Sequence, residues 1–269
     1  MPRIAVGIEY DGSAYAGWQQ QSHARGVQGE LERALASVAG HPVSLTAAGR
    51  TDAGVHALLQ VAHFDSSATR PEQAWAFGGT AESADDVTIL WAREVPEQFH
   101  ARYSALSRTY VYRILNRRMR PALERLRACW VKRPLDVAAM HEAAQALPGE
   151  RDFSSFRAAE CQSRTPMRRM IEVGVTRRDD VVEIRVRANA FLHHMVRNIA
   201  GSLLLVGAGE RPEAWVAEVL GGRDRTRAGP TAPAQGLYFA GVEYPAEFAL
   251  PSRPLASGRL GAGIPGDAP

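Results

Sequence analysis

Hydrophobic side chains recur along this chain in two rhythms, every second residue in some stretches and every third or fourth in others. Ile4-Ala5-Val6-Gly7-Ile8-Glu9-Tyr10 sets its large residues at alternate positions, the pattern of a half-buried strand. Val27, Leu31, Leu35 and Val38 then mark one face of a helix that stops near Gly40. A strand is expected over 43–47, a Gly-bracketed loop over 48–54, a strand over 59–64, then a helix and a strand near 87–92. Residues 108–115 and 181–187 alternate in strand fashion again. Phe191, Met195, Ile199, Leu203 and Val206 fall on one face of a long helix. Pro212 opens a second helix, with Trp215, Val219 and Leu220 inside and Gly221-Gly222 as its stop. A strand over 237–244 closes the sheet. Two strands joined without an intervening helix favour an α+β sheet over a doubly wound parallel one. The expected organisation is two similar α+β halves, residues 1–105 and 106–245, whose sheets could join into one. From Pro245 on, 9 of 25 residues are Gly or Pro without periodicity, so residues 246–269 read as a disordered tail.

Composition narrows the class. A chain of 269 residues, 45% hydrophobic and 23% charged, has the mix of an ordinary soluble globular protein. It holds no apolar run of the ~18 residues a membrane span needs, and its first residues pass straight into a strand pattern rather than a secretory leader. Cys129 and Cys161 lie far apart, which suits neither a zinc site nor a disulfide framework. A cytoplasmic protein is expected. The net charge of +3 is unevenly spread: residues 1–100 balance to −6 and residues 101–269 to +9. That asymmetry points to a polyanionic partner for the second half. The cations are 31 arginines and one lysine, Lys132, a ratio that compositional bias explains better than phosphate binding does.

Asp52 carries the candidate chemistry. It sits in a short loop between two strands, flanked by Gly49 and Gly54, with Arg50 two residues upstream. Glycines let a backbone turn sharply and let a bulky ligand approach. An arginine beside a carboxylate favours the charged form, which can act as a nucleophile. Taken alone, a Gly-bracketed Asp between strands is more often a turn residue bonding its own backbone.

The longer string Ala48-Gly49-Arg50-Thr51-Asp52-Ala53-Gly54-Val55-His56 changes that weighting, and other strings accompany it in order. They are Glu9-Tyr10-Asp11-Gly12 with Gly17-Trp18-Gln19, Phe99-His100-Ala101-Arg102, and Arg108-Thr109-Tyr110-Val111-Tyr112. Further on come Phe153-Ser154-Ser155-Phe156, the run from Cys161 to Pro166, the run from Phe191 to Asn198, and Gly236-Leu237-Tyr238. Over roughly residues 3–245 the chain resembles the tRNA pseudouridine synthases of the TruA family. One stretch departs: where the family usually shows Gly-x-Asn-x-x-Leu-Pro, this chain reads Gly78-Gly79-Thr80-Ala81-Glu82-Ser83-Ala84-Asp85.

The resemblance implies a pseudouridine synthase fold, in which mainly antiparallel sheets of two halves join around an active-site cleft. It implies isomerisation of uridines 38, 39 and 40 in the anticodon arm of tRNA, with Asp52 as nucleophile. It also implies a homodimer in which one tRNA touches both subunits. A carboxylate can attack ribose C1′, attack the base at C6, or remove a ribose proton. Each route needs one charged oxygen beside a base that has left its stack. On the same grounds Tyr110 stacks on the flipped base, Arg197 pairs with Asp52, Arg50 contacts RNA or displaces the base, and Leu237 packs against the base. Arg197 falls off the apolar stripe of its predicted helix, which suits a position facing a cleft.

Residues 117–133 hold Arg117, Arg118, Arg120, Arg125, Arg127, Lys132 and Arg133 against the single acid Glu124, with Trp130 among them. Such a segment suits a groove that tracks phosphates, with a solvated basic face as the plain alternative. The tandem His193-His194 invites a metal reading. Adjacent helical residues diverge by ~100°, however, so such a pair does not naturally share one ion. With no carboxylate or cysteine at ligand spacing, no metal is expected, and no cofactor either, since no Gly-rich phosphate loop with lysine is present. Two other classes compete. A non-catalytic tRNA-binding module would not need Asp52, Tyr110 and Arg197 together. An aspartate-nucleophile phosphotransferase or glycosidase would want a second carboxylate or a metal beside Asp52.

Overall fold

The computed structural model describes residues 1–251. β1 (Arg3–Tyr10) lies between β3 (His56–Asp65) and β4 (Val87–Val95) and is antiparallel to both. The alternation in β1 predicted a half-buried strand, yet the whole run Ile4–Ile8 is buried. The Trp91 side chain lies so close over Gly7 that even a methyl group there would collide with it, and this covers the second face. Thr46–Ala47, β2, is all that forms of the strand expected over 43–47; it pairs with His63 and Ala62 of β3.

Val27–Ala39 forms α1 and ends on Gly40 in the left-handed conformation at φ 75°, as the sequence suggested. Its Val27, Leu31 and Leu35 are fully buried, each contributing about 1.5–3 kcal/mol by leaving water. The family-atypical stretch begins where a π-helical turn, Ala74–Gly78, ends, and its next residues form α2 (Gly79–Glu82). It packs against Val38 and Leu35 of α1 and Ile89 of β4.

The second half continues the same sheet. β5 (Ser107–Asn116), β9 (Val181–Ala188), β8 (Met167–Arg178) and β7 (Gly149–Asp152) follow one another antiparallel, and β6 (Cys129–Val131) runs parallel to β5. β9 alternates cleanly: Val182, Ile184, Val186 and Ala188 are wholly buried, with charged neighbours between them. α3 (Val137–Ala144) packs on β8 and on α4 (Met195–Gly207), while α5 (Trp215–Gly222) packs beside α3.

Leu237–Glu243, β10, is the last strand in sequence, as expected, but not the last in the sheet. It lies in the middle of the sheet, parallel to β3 and antiparallel to β5, and so joins the two halves. The order β4-β1-β3-β10-β5-β9-β8-β7 makes this a single, mainly antiparallel α+β sheet.

Two helices start later than their apolar stripes suggested. α4 begins at Met195, leaving Phe191 in the preceding loop, and α5 begins at Trp215, with Arg223 rather than a glycine in the left-handed position after it. Beyond Tyr244 the chain still packs: Ala246–Phe248 makes a 3-10 turn, and buried Phe248 meets Phe99 edge-on at 5.1 Å. Of the expected tail, residues 252–269 lie outside the described residues.

Candidate active site

Asp52 is held in its loop almost wholly by backbone contacts from distant parts of the chain. Trp18 N–H donates to Thr51 O at 3.0 Å, Gly54 N–H donates to Tyr15 O at 3.2 Å, and Gly17 forms an isolated antiparallel bridge with Asp52. Gly17 has φ 109°, and a Cβ there would lie 2.6 Å from Thr51 O, so only glycine allows this approach. Gly54, at φ 76°, makes the turn back into β3. From below, Tyr10 Oη hydrogen-bonds Thr51 Oγ1 at 2.7 Å in the core. Gln60 donates to Gly49 O at 2.7 Å and Arg108 to Ala48 O at 3.1 Å. The strings singled out in sequence around Tyr10, Gly17-Trp18 and Arg108 therefore meet on one loop.

Three cationic or cation-capable groups face the Asp52 carboxylate. His193 Nε2 lies 3.4 Å from Oδ1, His194 Nε2 lies 3.3 Å from Oδ2, and Arg197 Nη1 lies 3.5 Å from Oδ2. Arg197 is anchored in turn by its Nε–H, which donates to Ala232 O at 2.8 Å. The carboxylate keeps 29% of its side-chain surface open while Arg197 keeps only 15%. The carboxylate is thus reachable and its partner is braced.

The histidines correct the sequence reading. His194 is not helical: it has φ 59° and ψ 5°, the left-handed region that a histidine adopts at some cost. This turn stacks the His193 and His194 rings at 4.0 Å and 37° instead of splaying them, and the fold supplies the carboxylate the local sequence lacked. His193 N–H donates to Cys161 Sγ at 3.4 Å, and Ala158 N–H donates to His193 O at 3.0 Å, so the run from Phe153 to Pro166 shapes this corner. Burial holds the His194 ring below its ordinary pKa, against the pull of Asp52. Nothing in the local sequence announced the left-handed backbone at His194. The one available signal was that the apolar stripe is equally well served by a helix starting at Met195.

Tyr110 lies behind the carboxylate on β5, nearly perpendicular to Phe191 and Phe239, each at 4.9 Å. Burial above all, with Tyr10 and the charge of Asp52 adding to it, raises its pKa far above the usual phenol value. The hydroxyl is therefore a neutral donor and acceptor at physiological pH. Leu237, buried at the start of β10, shares a sheet face with Phe239 and extends this apolar wall. Arg50 is exposed and makes no ion pair with Asp52 or any other acid among the described residues. The cation beside Asp52 is Arg197.

Arg117, Arg118 and Arg120 are fully outside, together with Leu123 at 92% exposure. The far end of their segment is fastened near the Asp52 loop. His56 Nε2 hydrogen-bonds Leu126 O at 2.9 Å, Tyr238 Oη donates to Arg127 O at 2.6 Å, and Arg127 pairs with Asp11 at 2.9 Å. Among the described residues Arg117, Arg118, Arg120, Arg125 and Lys132 have no acidic partner, which leaves five cations free to meet an anionic ligand. No helix among the described residues is long and apolar enough to cross a membrane.

A mixed sheet whose seam carries one braced, reachable carboxylate over an aromatic wall belongs to a catalytic α+β protein. The family model described as tRNA pseudouridine synthase matches residues 7–104 and 143–245. The chain is 56% identical over 248 residues to tRNA pseudouridine synthase A of Methylococcus capsulatus, covering 92% of each. It is 53% identical over 264 residues to the enzyme of that name from Aeromonas salmonicida, covering 98% of each. With the one from Coxiella burnetii the identity is 54% over 255 residues, 95% of this chain and 98% of that one. The chain belongs to the tRNA pseudouridine synthase family. The gap in the family match, residues 105–142, includes the whole arginine-rich segment.

Proposed function

We propose that this protein converts uridine to pseudouridine in tRNA, at positions 38, 39 and 40 of the anticodon arm, with Asp52 as the nucleophile. The reaction cleaves the bond from uracil N1 to ribose C1′, turns the base and rejoins it through C5, so C5 loses a proton that N1 regains. The observation that carries the reading is the Asp52 carboxylate itself, open to one side and gripped on the other by Arg197 and the His193–His194 pair. A flipped uridine entering from the open side would stack on the Tyr110–Leu237 wall, and the Tyr110 hydroxyl would be in place to handle the C5 proton. Arg50, exposed beside Asp52, is free to contact the RNA backbone or to occupy the gap left by the base. Arg117, Arg118 and Arg120 would follow phosphates.

The protein would act in the cytoplasm as a homodimer, one tRNA touching both subunits. The acidic balance of residues 1–100 leaves one subunit a small basic surface for so long a substrate, which supports that assembly. The isomerisation is redox-neutral and calls for no cofactor. The test is to incubate the protein with unmodified tRNA and map pseudouridine, beside Asp52→Ala. Wild type should modify positions 38–40, and Asp52→Ala should leave no pseudouridine while binding tRNA within a few-fold of wild type. Residual turnover in that variant would remove Asp52 from the nucleophile's role.

A further inference from the structure

We propose that Asp52, His193 and His194 form a binding site for a zinc-class divalent cation in the tRNA-free protein, which silences the enzyme by occupying its nucleophile. The three ligand atoms, one carboxylate oxygen and two ring nitrogens, lie within 4.8 Å of one another. A charge-assisted hydrogen bond between imidazole and carboxylate closes to about 2.7–2.9 Å. Here the N···O separations are 3.4 and 3.3 Å, and neither ring nitrogen makes a hydrogen bond to the carboxylate. Nitrogen and oxygen ligands at about 2.0–2.2 Å from a tetrahedral ion stand about 3.3–3.5 Å apart. Each imidazole faces a different carboxylate oxygen, and one oxygen with both ring nitrogens lies within 4.8 Å, close enough for small side-chain rotations to gather them around a common ion.

The backbone supports the same reading. In a helix the two rings would diverge, but the left-handed φ of 59° at His194 turns them to one side, 4.0 Å apart. All three side chains are partly open, at 29%, 34% and 26%, so a water molecule can complete the tetrahedron. Two imidazoles and one carboxylate select zinc, cobalt or nickel over magnesium or calcium, which prefer all-oxygen shells. Arg197, 3.5 Å from Oδ2, sets the limit on affinity. Its guanidinium repels a dication and holds one carboxylate oxygen away, so binding is weaker than at a structural zinc site, and reversible.

The test is a titration of the tRNA-free protein with Co2+, read by the visible bands that a four-coordinate site gives and an octahedral aqua ion scarcely shows. It requires no catalysis, so its outcome is independent of the proposed reaction. One equivalent per chain should saturate, and Zn2+ should displace it. Losing an outer partner of a metal ligand costs about 10–100-fold in affinity. Losing a ligand, in His193→Ala, His194→Ala or Asp52→Asn, should therefore cost at least about 100-fold. His193→Gln and His194→Gln serve if the alanine variants melt early, and exposed His23→Ala should bind as wild type does. An unchanged titration in folded His193 and His194 variants, or loss of the signal in His23→Ala, would overturn the site. In the full enzyme, micromolar Zn2+ should inhibit competitively with tRNA and chelation should restore turnover; inhibition unaffected by tRNA concentration would place the metal elsewhere.

Discussion

Arg197 is the residue whose replacement tests the site most sharply, because its guanidinium links the Asp52 carboxylate to one backbone carbonyl. Its Nη1 lies 3.5 Å from Asp52 Oδ2, and its Nε–H donates to Ala232 O at 2.8 Å. Two unit charges about 4 Å apart interact by about 1 kcal/mol in water and about 4 kcal/mol near a protein surface. With Arg197 15% and Asp52 29% exposed, the pair lies between these limits. Bonds to charged groups are worth about 1.5–3 kcal/mol by mutation, and each 1.36 kcal/mol is about tenfold in rate. Arg197→Met keeps the aliphatic stem and removes both contacts, so single-turnover conversion at saturating tRNA should fall about 100-fold. Arg197→Lys keeps the charge but sets its donors on a single nitrogen that does not span both acceptors, and should fall about tenfold. The assay is release of tritium from uracil C5, the proton lost when C5 joins ribose. KM for tRNA should stay within a few-fold in both variants, since Arg197 lies in the cleft rather than on the outer basic surface. A loss expressed mainly in KM, or a lysine variant as slow as the methionine variant, would refute an orienting role and make Arg197 an RNA contact.

Three further outcomes follow from other parts of the molecule. Reversing Arg117 and Arg118 should lower the slope of log affinity against log salt by about 2, roughly one per phosphate contact, with the rate at saturating tRNA retained; an unchanged slope would take the segment off the RNA surface. Gly201→Ala in α4 would place a Cβ 1.8 Å from Pro230 O, a backbone atom that cannot swing aside. Overpacking of this kind costs about 1–3 kcal/mol or more against a gain of about 1 kcal/mol in helix propensity, so the melting temperature should drop measurably. His63, which accepts from Ala101 N–H at 3.1 Å, is pushed down to about 4 by burial and by the charges of Arg3 and His100. Above about pH 6.5 it is neutral folded and unfolded alike; below that only the unfolded chain takes the proton. Stability should therefore fall between about pH 6.5 and 4, with a slope of up to about 1.4 kcal/mol per unit from this residue. Urea unfolding should show a smaller loss from pH 7 to 5 in His63→Asn, and an equal loss would exclude His63 as the source.

The Asp52 loop was legible because its demands are local. A carboxylate between two glycines is visible in nine consecutive residues, and Gly54 does take the left-handed turn those glycines suggested. Arg197 was legible for a related reason, since helical periodicity alone put it off the apolar face. Other features depended on distance or on one dihedral angle. β8 escaped because its outer face is arginine-rich and a bulge between Met170 and Glu172 breaks the alternation that marks a strand. The pattern over 237–244 marks β10 as a strand but not its neighbours. Its place between β3 and β5 is decided by which strands are left unpaired when the halves meet, and no window of sequence records that.

The histidine pair is the most instructive miss, because the rule applied was sound and its premise failed. Divergence by ~100° holds for helical neighbours, and the Phe191 stripe extended the helix one turn too early. At φ 59° His194 instead ends the loop, and both rings come to the carboxylate. Such a residue costs about 1–3 kcal/mol and persists only where its surroundings fix it. Here they do: Cys161 and Ala158 hold His193 from one side, and Asn198, which donates to Phe156 O at 2.8 Å, ties the first turn of α4 to the same segment. Strain kept in place at the one point where two imidazoles meet the Asp52 carboxylate is a reason to seek their role beside that carboxylate.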